Sequence, residues 1–285
     1  GPKDYIETNL NELNADMSRV EIVHADDTIS NYENPMTAIM SKPQSSLVQS
    51  MKLLANNDDC IGLITAGSSG SILMGSLRFL STPEKTRPCM GAVLPNAAGA
   101  FTLICDTGAS IDCTAHQLHE FAKLGRDFIG KLYNIENPRV GLLSNGAEKT
   151  KGNHLVKETY PLLEADETIN FVGNIEGNRS LSGDCDVLVC EGFAGNQVLK
   201  NTEGMAKNII TDIVKYAKKN NKPEFMEVVQ YLMAKYDISS LGGGIVLGIR
   251  KPIIKARGNS NEKSFYNTAK MLINYNNGEA FYNLK

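Results

Sequence analysis

Short, unbroken apolar runs that stop abruptly in small and polar residues recur along this chain. The run 187–190 leads into Glu191-Gly192-Phe193-Ala194-Gly195-Asn196, 101–105 into Asp106-Thr107-Gly108-Ala109-Ser110, 140–143 into Ser144-Asn145-Gly146, and 61–64 into Thr65-Ala66-Gly67-Ser68-Ser69-Gly70. An apolar run without polar alternation reads as a strand buried on both faces, and a glycine-bounded turn before helix-favouring sequence reads as the start of a crossover helix. Strands and helices therefore alternate, which predicts an α/β fold with a largely parallel, helix-covered sheet. Four such strand ends predict a shared site along their rim, where open α/β sheets bind ligands. The alternative is that the glycines only permit tight turns.

The remaining pattern predicts one continuous domain over residues 1–285. Residues 3–20 read as a polar helix leading to a short strand at 20–24, and 35–40 and 45–54 carry helical spacing. A strand is expected at 169–172, two more within 241–248 and 253–260, and a closing helix over 262–275. Between them, Ile209, Ile210, Ile213, Val214 and Ala217 recur at helical spacing, Asn220-Asn221-Lys222-Pro223 interrupts, and Phe225, Val228, Val229, Leu232 and Met233 resume it. This predicts a projecting helical hairpin over 205–236 whose apolar face meets a second subunit, a membrane surface or its own domain.

Composition narrows the partners. The chain has 285 residues, a net charge of −3 and a pI near 5.9, with no basic block, which argues against nucleic acid. No apolar run approaches the roughly 18 to 20 residues of a membrane span, so a soluble, cytoplasmic protein is expected. The 6 cysteines lack CxxC spacing and several lie in apolar runs, which predicts buried free thiols. The opening Gly1-Pro2 reads as a protease-cleavage scar, so the natural protein is expected to begin further upstream.

The polar turns carry the candidate chemistry. Gly67-Ser68-Ser69-Gly70 offers hydroxyls and helix-start amides, suited either to a phosphate or to plain capping of the helix that follows. Its spacing is neither GxGxxG nor a Walker loop, so neither a dinucleotide site nor an ATPase is supported. Lys149-Thr150-Lys151-Gly152-Asn153-His154 adds two cations, an amide and an imidazole, able to neutralise phosphate or polarise a carbonyl, or simply to sit in solvent. Arg257 beside Gly258-Asn259-Ser260 invites the same two readings. Asp106 and Asp112 flank Thr107-Gly108-Ala109-Ser110-Ile111, one placed to cap a helix and the other to orient substrate or a proton. His116 and His119 stand one helical turn apart, but HQLHE is not the HExxH of a zinc hydrolase, and no metal is expected.

Taken together, TAGSSGSILM, RPCMGAVLPN, CDTGASIDCTAHQL, NPRVGLLSNGAEKTKGNHL, INFVGNIEG, DVLVCEGFAGNQVLKNTEG and LGGGIVLGIRKPIIKARGNSN follow one another in the order of the PlsX phosphate acyltransferases. From about residue 35 to the C-terminus the chain resembles that family. The resemblance implies a fold similar to isocitrate dehydrogenase and phosphotransacetylase, a homodimer and no cofactor, whereas the polar hairpin tip Asn220-Asn221-Lys222-Pro223, with little apolar surface to insert, predicts weak or no membrane association. The implied reaction exchanges an acyl group between acyl carrier protein and inorganic phosphate, by phosphorolysis of a thioester to an acyl phosphate. The implied catalytic residues are Lys151, Asn153, Asn196, Asp106 and Asp112; phosphate and substrate contacts fall on Gly67, Ser68, Ser69, Gly70, Asn145, Glu191, Gly195 and Ser260, and Arg257 joins them as a binding candidate from its own place beside the last turn.

The chain departs from the family pattern in four places. The family's opening strand and glycine loop are absent, the Asn-Thr of its first glycine turn is Ser68-Ser69, its basic run is reduced to Lys42-Pro43-Gln44, and its usual His near the last turn is Arg257. These departures point to a paralogue. Two alternatives therefore stand beside the acyltransferase: the acetyl-phosphate-forming subunit of clostridial glycine, sarcosine and betaine reductases, acting on a thioester of a reductase-complex subunit, and a non-catalytic partner subunit of the same fold.

Overall fold

The computed structural model describes residues 1–82, 84, 86–236, 243–256, 258 and 260–278. Its strands are β1 (Leu63–Thr65), β2 (Cys89–Pro95), β3 (Phe101–Cys105), β4 (Arg139–Ser144), β5 (Asn170–Glu176), β6 (Val187–Val189), β7 (Gly244–Leu247) and β8 (Ile253–Lys255). They form one sheet in the order β1-β8-β7-β2-β3-β6-β4-β5. β3, β6, β4 and β5 run parallel, as do β1 and β8, while β2 and β7 are antiparallel to both of their neighbours. The sheet is thus mostly parallel, as the apolar runs predict.

This topology corrects part of the expected rim. Following the pairings from β1 through β8, β7 and β2 to β3, β1 runs opposite to β3, β6 and β4. The carboxyl ends of β3, β4 and β6 therefore share one edge, and the end of β1 lies at the other. Strand direction is set by non-local pairing, which a local turn motif does not encode. β2 is also an addition to the sequence reading. Residues 20–24 form no strand, and the helix expected over 3–20 divides into α1 (Lys3–Glu12) and a 3₁₀ turn at Met17–Arg19, separated where Asn14 takes a φ of 52°.

Two layers of helices cover the sheet. On one face α5 (Ala115–Tyr133), α6 (His154–Glu164) and α9 (Glu262–Asn277) pack over Leu103, Cys105, Val187, Val189, Val140 and Leu142. On the other, α2 (Pro35–Ser41), α3 (Ser46–Asn56) and α4 (Ser69–Phe79) make a cluster with Met90, Val246 and Ile253. On the same face the start of α7 (Gly192–Lys219) covers Leu94, Ile104 and Leu188. Side chains alternate along a strand, so Met90, Ala92 and Leu94 of β2 point the same way. Met90 joins one of these clusters and Leu94 the other, which leaves the small Ala92 under the gap between them. That gap positions a cavity.

The hairpin is real but starts earlier than its apolar spacing predicts. α7 begins at Gly192, directly after β6, and its 28 residues extend on the order of 40 Å before α8 (Phe225–Lys235) folds back. Ala217 and Val229 are buried between the two arms, and the Tyr216 and Phe225 rings meet edge to face at 5.3 Å. Met205, Ile209, Tyr231 and Met233 remain exposed. Among the described residues no helix is long and apolar enough to cross a membrane.

Candidate active site at the start of the long helix

The loop after β3 is built around one carboxylate. Asp106 is fully buried, and its oxygens accept hydrogen bonds from the amides of Met90, Gly108, Ala109 and Ser110 at 2.6 to 3.2 Å. Burial pushes its carboxyl pKa up and the four amides pull it down; burial is the larger effect. The Arg87 Nε donates to Ser110 Oγ at 2.8 Å, fixing the far end of the same loop. α7 is seated directly against it. The Gly192 amide donates to the Ser110 carbonyl at 2.7 Å, and Asn196 Nδ2 to the Thr107 carbonyl at 3.2 Å.

Two cavities open on either side of this junction. The larger, about 480 Å³, lies at the shared strand-end edge and brings together Asp112, Asn153 and Glu191 of the sequence expectation. Asn153 and Glu191 cap α6 and α7 there, accepting from the amides of Val156 at 2.9 Å and Ala194 at 3.0 Å. Ile111 and Phe193 give this cleft an exposed apolar flank, and His154 and Glu158, paired at 3.2 Å, line it as well. Cys113 also lines it, its thiol pushed up to about 11 mainly by burial.

The smaller cavity, about 160 Å³, occupies the gap over Ala92. It brings together Ser69, at the first turn of α4, and Asn196, which the sequence singles out. It also contains Thr107, Lys200, Glu203 and Lys255, which it does not. A signal for Lys200 and Glu203 was available: they lie four and seven residues after Asn196, on the same face of a helix. Lys255 ends β8, two residues before the expected Arg257.

The other expected residues hold the frame or lie outside both cavities. Ser68 caps α4 through the Ser71 amide at 3.2 Å and bonds the Ser71 hydroxyl at 2.8 Å, so the capping alternative is realised at this serine. Gly67 and Gly70 form the same turn, Gly70 with Pro35 pressed against it. Asn145 accepts from the Gly152 amide at 2.9 Å, closing the 145–153 loop, on which Lys151 is exposed. Beneath this loop Ser144 Oγ and Asn174 Oδ1 are buried without a hydrogen-bond partner. Gly195 fills the contact between α7 and the Asp106 loop. Ser260 is half-buried beyond β8, and Arg257 lies outside the described residues. His119, on α5, pairs with Asp166 at 2.7 Å.

The sequence profile of the fatty acid synthesis protein family matches residues 1–277. The chain belongs to this family. It is 37% identical over 273 residues to a phosphate acyltransferase of Clostridium perfringens, a match covering 94% of this chain and 80% of that one. It is 35% identical over 283 residues to a phosphate acyltransferase of Thermoanaerobacter pseudethanolicus, covering 97% and 84%. Among solved structures, a phosphotransacetylase from Streptococcus pyogenes superposes with a TM-score of 0.62 at 14% identity, over 98% of this chain and 84% of that one. A branched-chain phosphotransacylase from Enterococcus faecalis gives 0.54 at 14% identity, over 94% of each. At these identities the structural likeness establishes the fold, which this family member shares with both.

Proposed function

We propose that the protein forms an acyl phosphate from inorganic phosphate and an acyl thioester carried on a donor protein such as acyl carrier protein. The observation that carries this reading is that the first turns of α7 border both cavities, Glu191 in the larger and Asn196 in the smaller, which puts the residues expected to handle the thioester at one helix start. Relatives at 35 to 37% identity bear the name phosphate acyltransferase. Nothing in the fold or the relatives favours a reductase subunit or a non-catalytic one.

The chemistry asks for placement and charge stabilisation rather than a protein nucleophile. An oxygen of hydrogen phosphate attacks the thioester carbonyl carbon, the C–S bond breaks, and the proton released from phosphate ends on the departing thiol. Asn196 orients the reacting carbonyl, and Lys151 on the exposed 145–153 loop neutralises the incoming dianion. Asp106 and Gly195 act from beneath, by holding the loop and helix in register.

The test is phosphate-dependent loss of thioester with release of acyl phosphate, trapped as its hydroxamate, using carrier-bound donors of short and long chain. Lys151→Ala lowers phosphate-dependent turnover on the order of tenfold to a thousandfold. Absence of phosphate-dependent loss with every donor overturns the proposal. We further propose a homodimer joined through the exposed Met205, Ile209, Tyr231 and Met233 of the hairpin. Light scattering reports twice the monomer mass if this is right, and a monomer at micromolar concentration refutes it.

A further inference from the structure

We propose a second ligand site, in the cavity of about 320 Å³ between α5 and α9, for a small amphipathic anion: an apolar chain ending in a carboxylate or phosphate-type head. It goes beyond the acyl-transfer reading and does not rest on it. The cavity shares no lining residue with the two at the start of α7, and it lies on the sheet face that α5 and α9 cover. Its floor is Ile245 and Leu247 of β7, and its walls are Leu124 and Phe128 of α5 and Tyr275 of α9. The Phe128 and Tyr275 rings stand 5.2 Å apart. The turn after β7 closes one end, where Ile249 bridges to Ser81 and the Arg250 amide donates to the Leu80 carbonyl at 3.0 Å.

An apolar pocket of this size holds an alkyl chain by burial alone. The polar groups around it set the head that the chain carries. Lys131 and Arg250 both line the cavity, and among the described residues neither is paired with a carboxylate. The Lys131 ammonium sits over the Tyr275 ring, 4.3 Å from its centre, and the Arg250 guanidinium donates to the Phe79 carbonyl at 2.8 Å. The one carboxylate in the lining, Asp127, is already paired with Arg126 at 2.7 Å. Two cations without a carboxylate partner favour an anionic head. Thr82 gives an independent sign of the same ligand, since it lines the cavity and its Oγ1 is buried without a hydrogen-bond partner. A buried hydroxyl in that state costs free energy until an acceptor reaches it, and the oxygen of an anionic head is a strong acceptor.

The experiment is calorimetric titration of the full chain with octanoate and with octylphosphonate, which separate the two kinds of head, and with octanol as the uncharged chain. At least one of the two anions binds saturably, and octanol binds at least about tenfold more weakly. Lys131→Ala weakens binding of that anion about tenfold, whereas Lys131→Arg keeps most of the affinity. Thr82→Val conserves shape, removes the donor and weakens binding on the order of tenfold. Lys131 is exposed, so its variants decide the question even if Thr82→Val fails to fold. A saturating, non-reactive acyl donor analogue leaves the titration unchanged, because the site lies apart from the α7 start. Absence of saturable binding by either anion overturns the proposal. So does displacement by the donor analogue, or an affinity that neither Lys131→Ala nor Thr82→Val alters.

Discussion

Gly195 stands directly against the backbone carbonyl of Asp106, so that a Cβ at position 195 would collide with that oxygen and come within 2.8 Å of Cys190 Sγ. The first turn of α7 and the loop after β3 are fitted to each other without room for a methyl group. Gly195→Ala forces them apart and destabilises the protein by about 1–3 kcal/mol, the range for overpacking a tight interior. Gly204, further along the same helix, has nothing within 4 Å of the point where a Cβ would stand, and Gly204→Ala stabilises by about 0.5–1 kcal/mol through helix propensity. Thermal unfolding of the two variants should therefore move in opposite directions, with activity lost only in the first. Equal shifts of the same sign would show that the contact is looser than described.

The buried polar atoms beneath the 145–153 loop make a second contrast. Ser144 Oγ has no partner, whereas Asn174 Nδ2 donates to the Glu148 carbonyl at 2.9 Å and ties that loop to β5. Ser144→Ala removes a desolvated hydroxyl and leaves Tm unchanged or raised. Asn174→Ala removes the tie and opens a cavity, costing about 1–3 kcal/mol. Differential scanning calorimetry separates the two; a marked loss of stability in Ser144→Ala would mean that its hydroxyl is satisfied in solution.

Asp166 links stability to pH. It accepts from the Thr168 hydroxyl at 2.6 Å and amide at 3.0 Å, and pairs with Lys123 at 2.9 Å and His119 at 2.7 Å. The Thr168 hydroxyl is the largest cause, with Lys123 next, and together they hold its carboxyl well below the usual carboxylate range. A depressed pKa contributes stability that is present above the unfolded value, near 4, and is lost as pH falls toward the folded one. Asp166→Asn therefore melts lower than wild type at pH 7, and the gap closes as the pH drops below about 4. A gap that stays constant across that window would exclude the linkage.

The chemistry at the strand ends was legible because β3, β4 and β6 are unbroken apolar runs, each stopped by glycine and polar residues. β2 was not, since Met90-Gly91-Ala92 offers small, unbranched side chains whose strand state is imposed by Leu103 and Ile245 packing against Gly91. The direction of β1 depends on pairing with β8, nearly two hundred residues away, and leaves no local trace. Turn motifs also drew attention to Glu191 and Asn196 while hiding that this turn is already the first turn of α7, so Lys200 and Glu203 on the same helical face went unnoticed. Lys255 was hidden for another reason, because it belongs to a strand rather than to the polar turn that follows.

Thiol reactivity reads the larger cleft directly. Cys89, Cys105 and Cys190 are buried and their thiols are pushed up, so they are inert toward a disulfide reagent in the native protein. Cys113 is half-buried in the cleft wall, and a pKa of about 11 leaves it roughly two orders of magnitude less thiolate at pH 8 than an ordinary cysteine. It should label slowly, and Cys113→Ser should remove that slow phase. If the acyl thioester occupies this cleft, a non-reactive donor analogue slows the labelling of Cys113 further. Unchanged labelling of Cys113 at saturating donor analogue would place the thioester outside this cleft.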